Sequence, residues 1–305
     1  MKRLLALCGL ATSIAVAAAA DTQSARPPSL LTYAVESSGS LCLARADGTH
    51  RLRLIRGKNR APSWSPNGRS VVFSRQVGTA SRILVADTRG RVVRGLTQTG
   101  AVADPTWSSD GKRIAYVSRE GRSRIVIVGS AGRVLGELFA APAAFISRPA
   151  WAPDGRRIAY AEEIQTEQGK AGTSRIVVVN ADGSGRRVFV GQASDPAWSP
   201  NGSKIAYVAY SSRLSETGSI VVANADGSGA RHITAAGGPE SRPAWSPTGQ
   251  QIAFTRTAAG KSTIVVARAD GSRERVVVGA RGYGAVDPAW RPAVLLPKAR
   301  RRACS

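Results

Sequence analysis

From about residue 30 onward, short apolar runs alternate with breaks rich in Gly, Asn, Asp and Ser. Val71-Val72-Phe73, Ile125-Val126-Ile127-Val128 and Ile176-Val177-Val178-Val179 are representative, and Arg113-Ile114-Ala115-Tyr116-Val117 reads as an alternating run. Runs this short, β-branched and bounded by turn formers predict strands, not helices. Asn67-Gly68, Asp110-Gly111, Asp154-Gly155, Asn201-Gly202 and Thr248-Gly249 each precede one such run, and Asp182-Gly183, Asp226-Gly227 and Asp270-Gly271 each follow another. Asn-Gly and Asp-Gly accept the positive φ that tight hairpins require. The pattern predicts an all-β chain of antiparallel hairpins.

The hairpins repeat. Trp64, Trp107, Trp151, Trp198, Trp245 and Trp290 are spaced by 43, 44, 47, 47 and 45 residues. Around the first five the text recurs as APSWSPNGRSVVF (61–73), DPTWSSDGKRIAY (104–116), RPAWAPDGRRIAY (148–160), DPAWSPNGSKIAY (195–207) and RPAWSPTGQQIAF (242–254). A period in the forties with aromatic and Gly punctuation marks the blade of a β-propeller. Each copy supplies a strand ending at the Trp, a second after the turn, a third, and an outer strand such as Arg187-Val188-Phe189-Val190. The ends are out of phase. Residues 30–56 lack a Trp strand, and DPAWRP (287–292) is a Trp strand without the rest. Joined, they predict a six-bladed propeller over 30–297, closed by pairing N-terminal strands with a C-terminal one, which removes two open sheet edges. The indoles have a structural use, since each can bury about 150–250 Å² between blades.

The P-x-W-S-P-[DN]-G-x-x-I-A-[YF] text resembles the WD40-like (PD40) repeats of the TolB propeller family, over about residues 30–292. The resemblance implies the propeller fold and says little of function, because one repeat serves many roles. TolB-type proteins carry an α/β domain before the propeller, which residues 21–29 are too few to hold. That departure counts against the role of TolB itself in an envelope Tol–Pal system.

Lys2 and Arg3 precede an uncharged apolar stretch, Leu4 to Ala20, which ends in four alanines. This is the layout of a secretory signal peptide over 1–20, followed by a short linker, 21–29. The chain is therefore expected to be exported, to the periplasm, cell envelope or exterior. Cys42 and Cys304 would then meet an oxidising compartment, and a bridge between them would staple the sixth blade. Charge is lopsided, with 43 Lys+Arg against 20 Asp+Glu for a net +23. The basic residues are scattered, apart from Lys298-Ala299-Arg300-Arg301-Arg302 in a tail at 298–305. No nucleic-acid-reading motif accompanies them, so weak contact with an anionic surface is the expectation, not specific nucleic-acid binding.

The residue three before each Trp is Ala61, Asp104, Arg148, Asp195, Arg242 or Asp287. These should form a belt of alternating charge at one mouth of the channel. It serves either to bridge blades by salt bridges or to contact a partner. The proline after each charge suits a strand start. Two long connections, Glu162 to Ser174 and Ala209 to Ser219, should overhang the same face with Glu162, Glu163, Glu167, Arg213 and Glu216. Variable loops on a rigid scaffold are where binding tends to sit. Catalysis finds little support. There is no G-x-S-x-G elbow, and His50 and His232 fall near outer strands, far from the channel and from each other. No metal or cofactor set is visible. The sequence therefore points to a monomeric, non-enzymatic scaffold that binds a protein or peptide through its loop-rich face. One alternative is a binder of anionic envelope polymer or membrane. The other is a glycan- or peptide-active enzyme, a hydrolase or lyase, using Asp104, Asp195 and Asp287.

Overall fold

The computed structural model describes residues 29–165, 171–212, 217–234, 238–279 and 284–292. They form six four-stranded antiparallel sheets, with consecutive strands adjacent in each sheet. Blade one holds Asn59–Trp64, Ser70–Val77, Ala80–Asp87 and Val92–Gly95. Blade two holds Val102–Trp107, Arg113–Ser118, Arg124–Gly129 and Val134–Phe139. Blade three holds Ala144–Trp151, Arg157–Gln165, Ala171–Asn180 and Arg187–Gly191. Blade four holds Ala193–Trp198, Lys204–Tyr210, Gly218–Asn224 and Arg231–His232. Blade five holds Glu240–Trp245, Gln251–Ala258, Lys261–Arg268 and Arg275–Val278. The sixth is the predicted composite: Ala285–Arg291 from the C-terminal side pairs with Leu30–Val35, followed by Leu41–Arg45 and Leu52–Ile55. Its seam places Leu31 opposite Trp290 and Ala34 opposite Val286.

The core lies between blades. One cluster joins Leu31, Tyr33, Cys42 and Trp290 of blade six to Ala253, Ile264, Val266 and Val277 of blade five. Another joins Trp64 and Phe73 of blade one to Ala34, Leu41 and Leu43 of blade six. Middle strands are thus covered on both faces, and this corrects the alternating reading. Ile114, Ala115, Tyr116 and Val117 are all buried, because a sheet sandwiched by two neighbours has no solvent face. Cys42 is fully buried and disulfide-bonded. Cys304 lies outside the described residues, as do residues 1–28 and the basic tail.

The repeated motif also explains its turns. Ser108 Oγ accepts the Arg113 N–H at 3.0 Å and donates to Asp110 Oδ1, which accepts the Lys112 N–H at 2.9 Å. Ser65 with Asn67 and Ser199 with Asn201 repeat the clamp. Gly111 at φ +68° closes the turn between Trp107 and Arg113. In the second turn series Asp47, Asp87, Asp182, Asp226 and Asp270 each accept an N–H from their own turn, at 2.8–2.9 Å. Both series lie at one end of the molecule, since Ser70 sits opposite Asp87 while its neighbour Val71 sits opposite Trp64. That end is called the turn end below, and the opposite one the mouth.

Arginines roof several indoles. Arg113 stacks 4.7 Å from the Trp151 ring centre and Arg157 4.9 Å from Trp198, each reaching to the next blade. Trp64 is served instead by Arg291, at 4.6 Å. Arg291 is fully buried and donates to the Gly68 carbonyl at 2.9 and 3.1 Å. It follows Trp290 where the other repeats have Ser or Ala.

Candidate site in the central channel

The six Trp strands line the axis and enclose a cavity of about 350 Å³. Ala61, Asp104, Arg148, Asp195, Arg242 and Asp287 all face it, with the prolines that follow them. The belt predicted from the repeats is therefore real, but it lies partway along the strands and not at their starts. In every blade the register shifts at this point, as between Arg60 and Ser63 or between Ser147 and Ala150. The residue before the proline takes a positive φ in all six blades, from 48° at Ala61 and Asp104 to 59° at Asp287. This is a β-bulge, where a proline without an N–H costs no ladder bond. A left-handed backbone at a residue other than Gly costs of order 1 kcal/mol or more, so something must hold it there.

At Ala61, Arg148 and Arg242 aspartates of neighbouring blades do so. Asp287 Oδ2 accepts the Ala61 N–H at 2.9 Å, Asp104 Oδ2 the Arg148 N–H at 3.2 Å, and Asp195 Oδ2 the Arg242 N–H at 2.8 Å. The second carboxylate oxygens meet guanidinium groups. Arg148 bridges Asp104 at 2.8 Å and Asp195 at 3.4 Å, and Arg242 pairs with Asp287. Burial would raise the Asp104 carboxyl, but the charges of Arg148 and Arg242 outweigh it and hold the group below the usual carboxylate range. Burial, reinforced by the charge of Arg148, brings Arg242 down to about 9. A carboxylate pinned ionised between guanidinium groups is poorly placed to act as a general acid. Among the described residues no group of three His, Cys, Asp or Glu could hold a metal ion.

Glu162 corrects the loop reading. It lies within Arg157–Gln165, opposite Arg175, because the hairpin runs on as paired strands where a loop was expected. Ala209 and Ser219 are likewise paired. The Glu162 side chain is fully buried, accepts the Ala141 N–H at 2.9 Å and binds Arg175 and Arg186 at 2.7 and 2.6 Å. It is a strut between blades two and three and offers nothing to a partner. Glu163, one residue on, points outward and is exposed. Glu167, Arg213 and Glu216 lie outside the described residues.

The structure adds residues that the repeats did not single out. Phe145, opposite Glu163 at the mouth end of blade three, is 41 % exposed. Tyr210 of blade four bonds Ser194 Oγ at 2.8 Å. Burial, with the charges of Asp195 and Glu163, raises its phenol. Phe145 carried one available signal, an aromatic at the start of a channel strand where other blades have small or polar residues. His50 and His232 are exposed.

Acid should loosen these locks. The folded pKa values of Asp104 and Glu162 are lowered from unfolded values of about 4. Their stabilisation is therefore complete above that range and lost as pH falls through the folded values. Melting followed by circular dichroism should be nearly level from about pH 7 to 5 and drop steeply below about 4. Equal melting temperatures above and below that range would contradict the assignment.

The fold recurs in solved structures. TolB from Acinetobacter baumannii superposes with a TM-score of 0.69 at 18 % identity, covering 86 % of this chain; the chain spans 66 % of that protein's length. A putative TolB from Agrobacterium tumefaciens gives 0.61 at 19 % identity, covering 85 % of this chain and 91 % of that one. An oligogalacturonate lyase in complex with manganese gives 0.53 at 16 % identity, covering 84 % and 74 %. At these identities the likeness shows the fold. The family is shown by sequence, since the model for the TolB beta propeller domain matches residues 46–169 and 164–294. The chain therefore belongs to the PD40 family of TolB-type β-propellers.

Proposed function

We propose that this protein is an exported, non-catalytic scaffold that holds a protein or peptide partner at the mouth of its channel. The carrying observation is the half-exposed Phe145 beside exposed Glu163, above a channel floored by paired charges. An apolar anchor with a polar surround is the usual anatomy of a protein interface. Asp104, Arg148, Asp195, Arg242 and Asp287 set the shape and charge of the floor, and Glu167, Arg213 and Glu216 would extend the rim. The disulfide at Cys42 and the leader-like residues 1–20 support export.

Crosslinked capture from cell-envelope extract tests this reading. The Phe145→Ala/Glu163→Ala double variant should recover about tenfold less partner than the parent while melting at the same temperature. Undiminished recovery would rule out this face. The likeness to a lyase keeps an enzymatic reading in view. It predicts that Asp195→Asn protein loses turnover of an oligogalacturonide substrate, whereas the scaffold reading predicts no turnover by either protein.

A further inference from the structure

The two ends of the propeller differ in how their acidic groups are used. At the turn end every aspartate is committed to its own turn. Asp110 and Asp154 accept the N–H groups of Lys112 and Arg156 at 2.9 and 2.7 Å, and the five of the second series do the same. Glu274, at the base of Arg275–Val278, is drawn into an ion pair with Arg256. Beside these turns stand Arg69, Lys112, Arg133, Arg156, Arg231 and Arg273. All six are exposed, and their side chains make no hydrogen bond or ion pair among the described residues. At the mouth the exposed Glu36, Glu120 and Glu163 stand among the exposed Arg56, Lys58, Arg119, Arg122 and Lys261. The turn aspartates keep their charge, but with the exposed Arg89, Lys204, Arg268 and Arg275 added the cations outnumber them, so among the described residues the exposed positive excess is larger at the turn end.

The form of the array narrows the partner. These six cations sit on or beside turns of five different blades, so the repeat places them around a ring instead of converging them on a pocket. Equivalent turns recur at the same end of successive blades and so spread over that face. Of the large exposed apolar residues, Val92, Val93, Val134, Leu135 and Val276 lie on outer strands, and Val77 and Phe145 at the mouth, so none is on the turns. A broad cationic face without apolar wedges matches a plane of phosphates met without insertion. It does not match a single anion or a groove-bound chain. We infer that the turn end docks on an anionic phospholipid bilayer, leaving the mouth pointing away from the membrane.

The test uses the full chain and vesicles of phosphatidylglycerol and phosphatidylcholine in about a 3:7 ratio. The protein should co-sediment with these and not with phosphatidylcholine alone, and should be released as salt rises from about 0.05 to 0.5 M. Each basic residue near such a surface strengthens binding roughly fivefold. The Arg69→Glu/Arg156→Glu/Arg273→Glu variant should therefore bind about a hundredfold more weakly. Arg56→Glu/Lys58→Glu/Lys261→Glu, with the same change in net charge at the mouth, should lose less than about fivefold. Equal losses from the two triple variants would overturn the inference. So would salt-insensitive binding, or loss of binding on replacing Lys298, Arg300, Arg301 and Arg302 by alanine. Soluble polyphosphate that binds as tightly as the vesicles, with the same dependence on Arg69, Arg156 and Arg273, would also overturn the bilayer as partner. Capture at the mouth is read separately, by the Phe145 and Glu163 variant, so either proposal can fail alone.

Discussion

Trp290→Ala is expected to cost roughly 3–5 kcal/mol, the upper range for losing a buried aromatic. Its indole is 7 % exposed, packs with residues of blades five and six, and donates to the Ala244 carbonyl at 2.9 Å. It also sits opposite Leu31 on the pairing that closes the ring. Trp245 resembles it locally, with its own bond to Ala197 O at 3.1 Å, but lies in a blade made from continuous chain. Urea unfolding should therefore separate the two. Trp290→Ala should lower the midpoint and broaden the transition, because an open ring lets blades unfold from the seam. Trp245→Ala should lower the midpoint and keep one sharp step. A loss below about 1 kcal/mol for Trp290→Ala would mean the seam is not what holds the ring.

Glu162→Ala is the second large effect, roughly 1–3 kcal/mol, because it leaves a backbone N–H without its acceptor and removes the shared partner of two half-exposed guanidinium groups. Arg175 and Arg186 would lose their shared carboxylate, and the Ala141 N–H its acceptor. Burial tends to raise this carboxyl, yet the Ala141 N–H and the two guanidinium groups outweigh it and bring it down. The neighbouring Glu163→Ala should change stability by less than about 0.5 kcal/mol, as an exposed substitution does. Thermal or urea melts of the two variants decide the matter. Equal effects would mean that Glu162 is as free as Glu163.

That pair also shows where the amino-acid sequence stops being legible. The Trp spacing and the Asn-Gly and Asp-Gly turns carry the ring, its six sheets and the composite blade, because each repeat is a hairpin unit whose apolar faces need neighbours. The belt is legible too, since a fixed offset from Trp marks it. Which way a side chain points is not. Glu162 and Glu163 are adjacent and identical in type, and only the register pairing Glu162 with Arg175 sends one inward. The bulge is hidden for a similar reason. Proline announces a break in the ladder, but the positive φ before it is met at Arg148 and Arg242 by a carboxylate of another blade, some 44–47 residues away. The charge contrast between the ends needed the fold, because composition does not say at which end of its sheet each charge stands.

The shared blade has a consequence for biogenesis. The strand Ala285–Arg291 is the last of the ring to leave the ribosome, while its pairing partner Leu30–Val35 is among the first. Until then the nascent chain holds five self-contained hairpin units and an unmatched pair of margins, with no sealed axial cavity to offer a ligand. The closed axial cavity therefore arrives in one late event. A truncated product would be a gapped crescent with apolar flanks in view, ready substrate for chaperones and proteases.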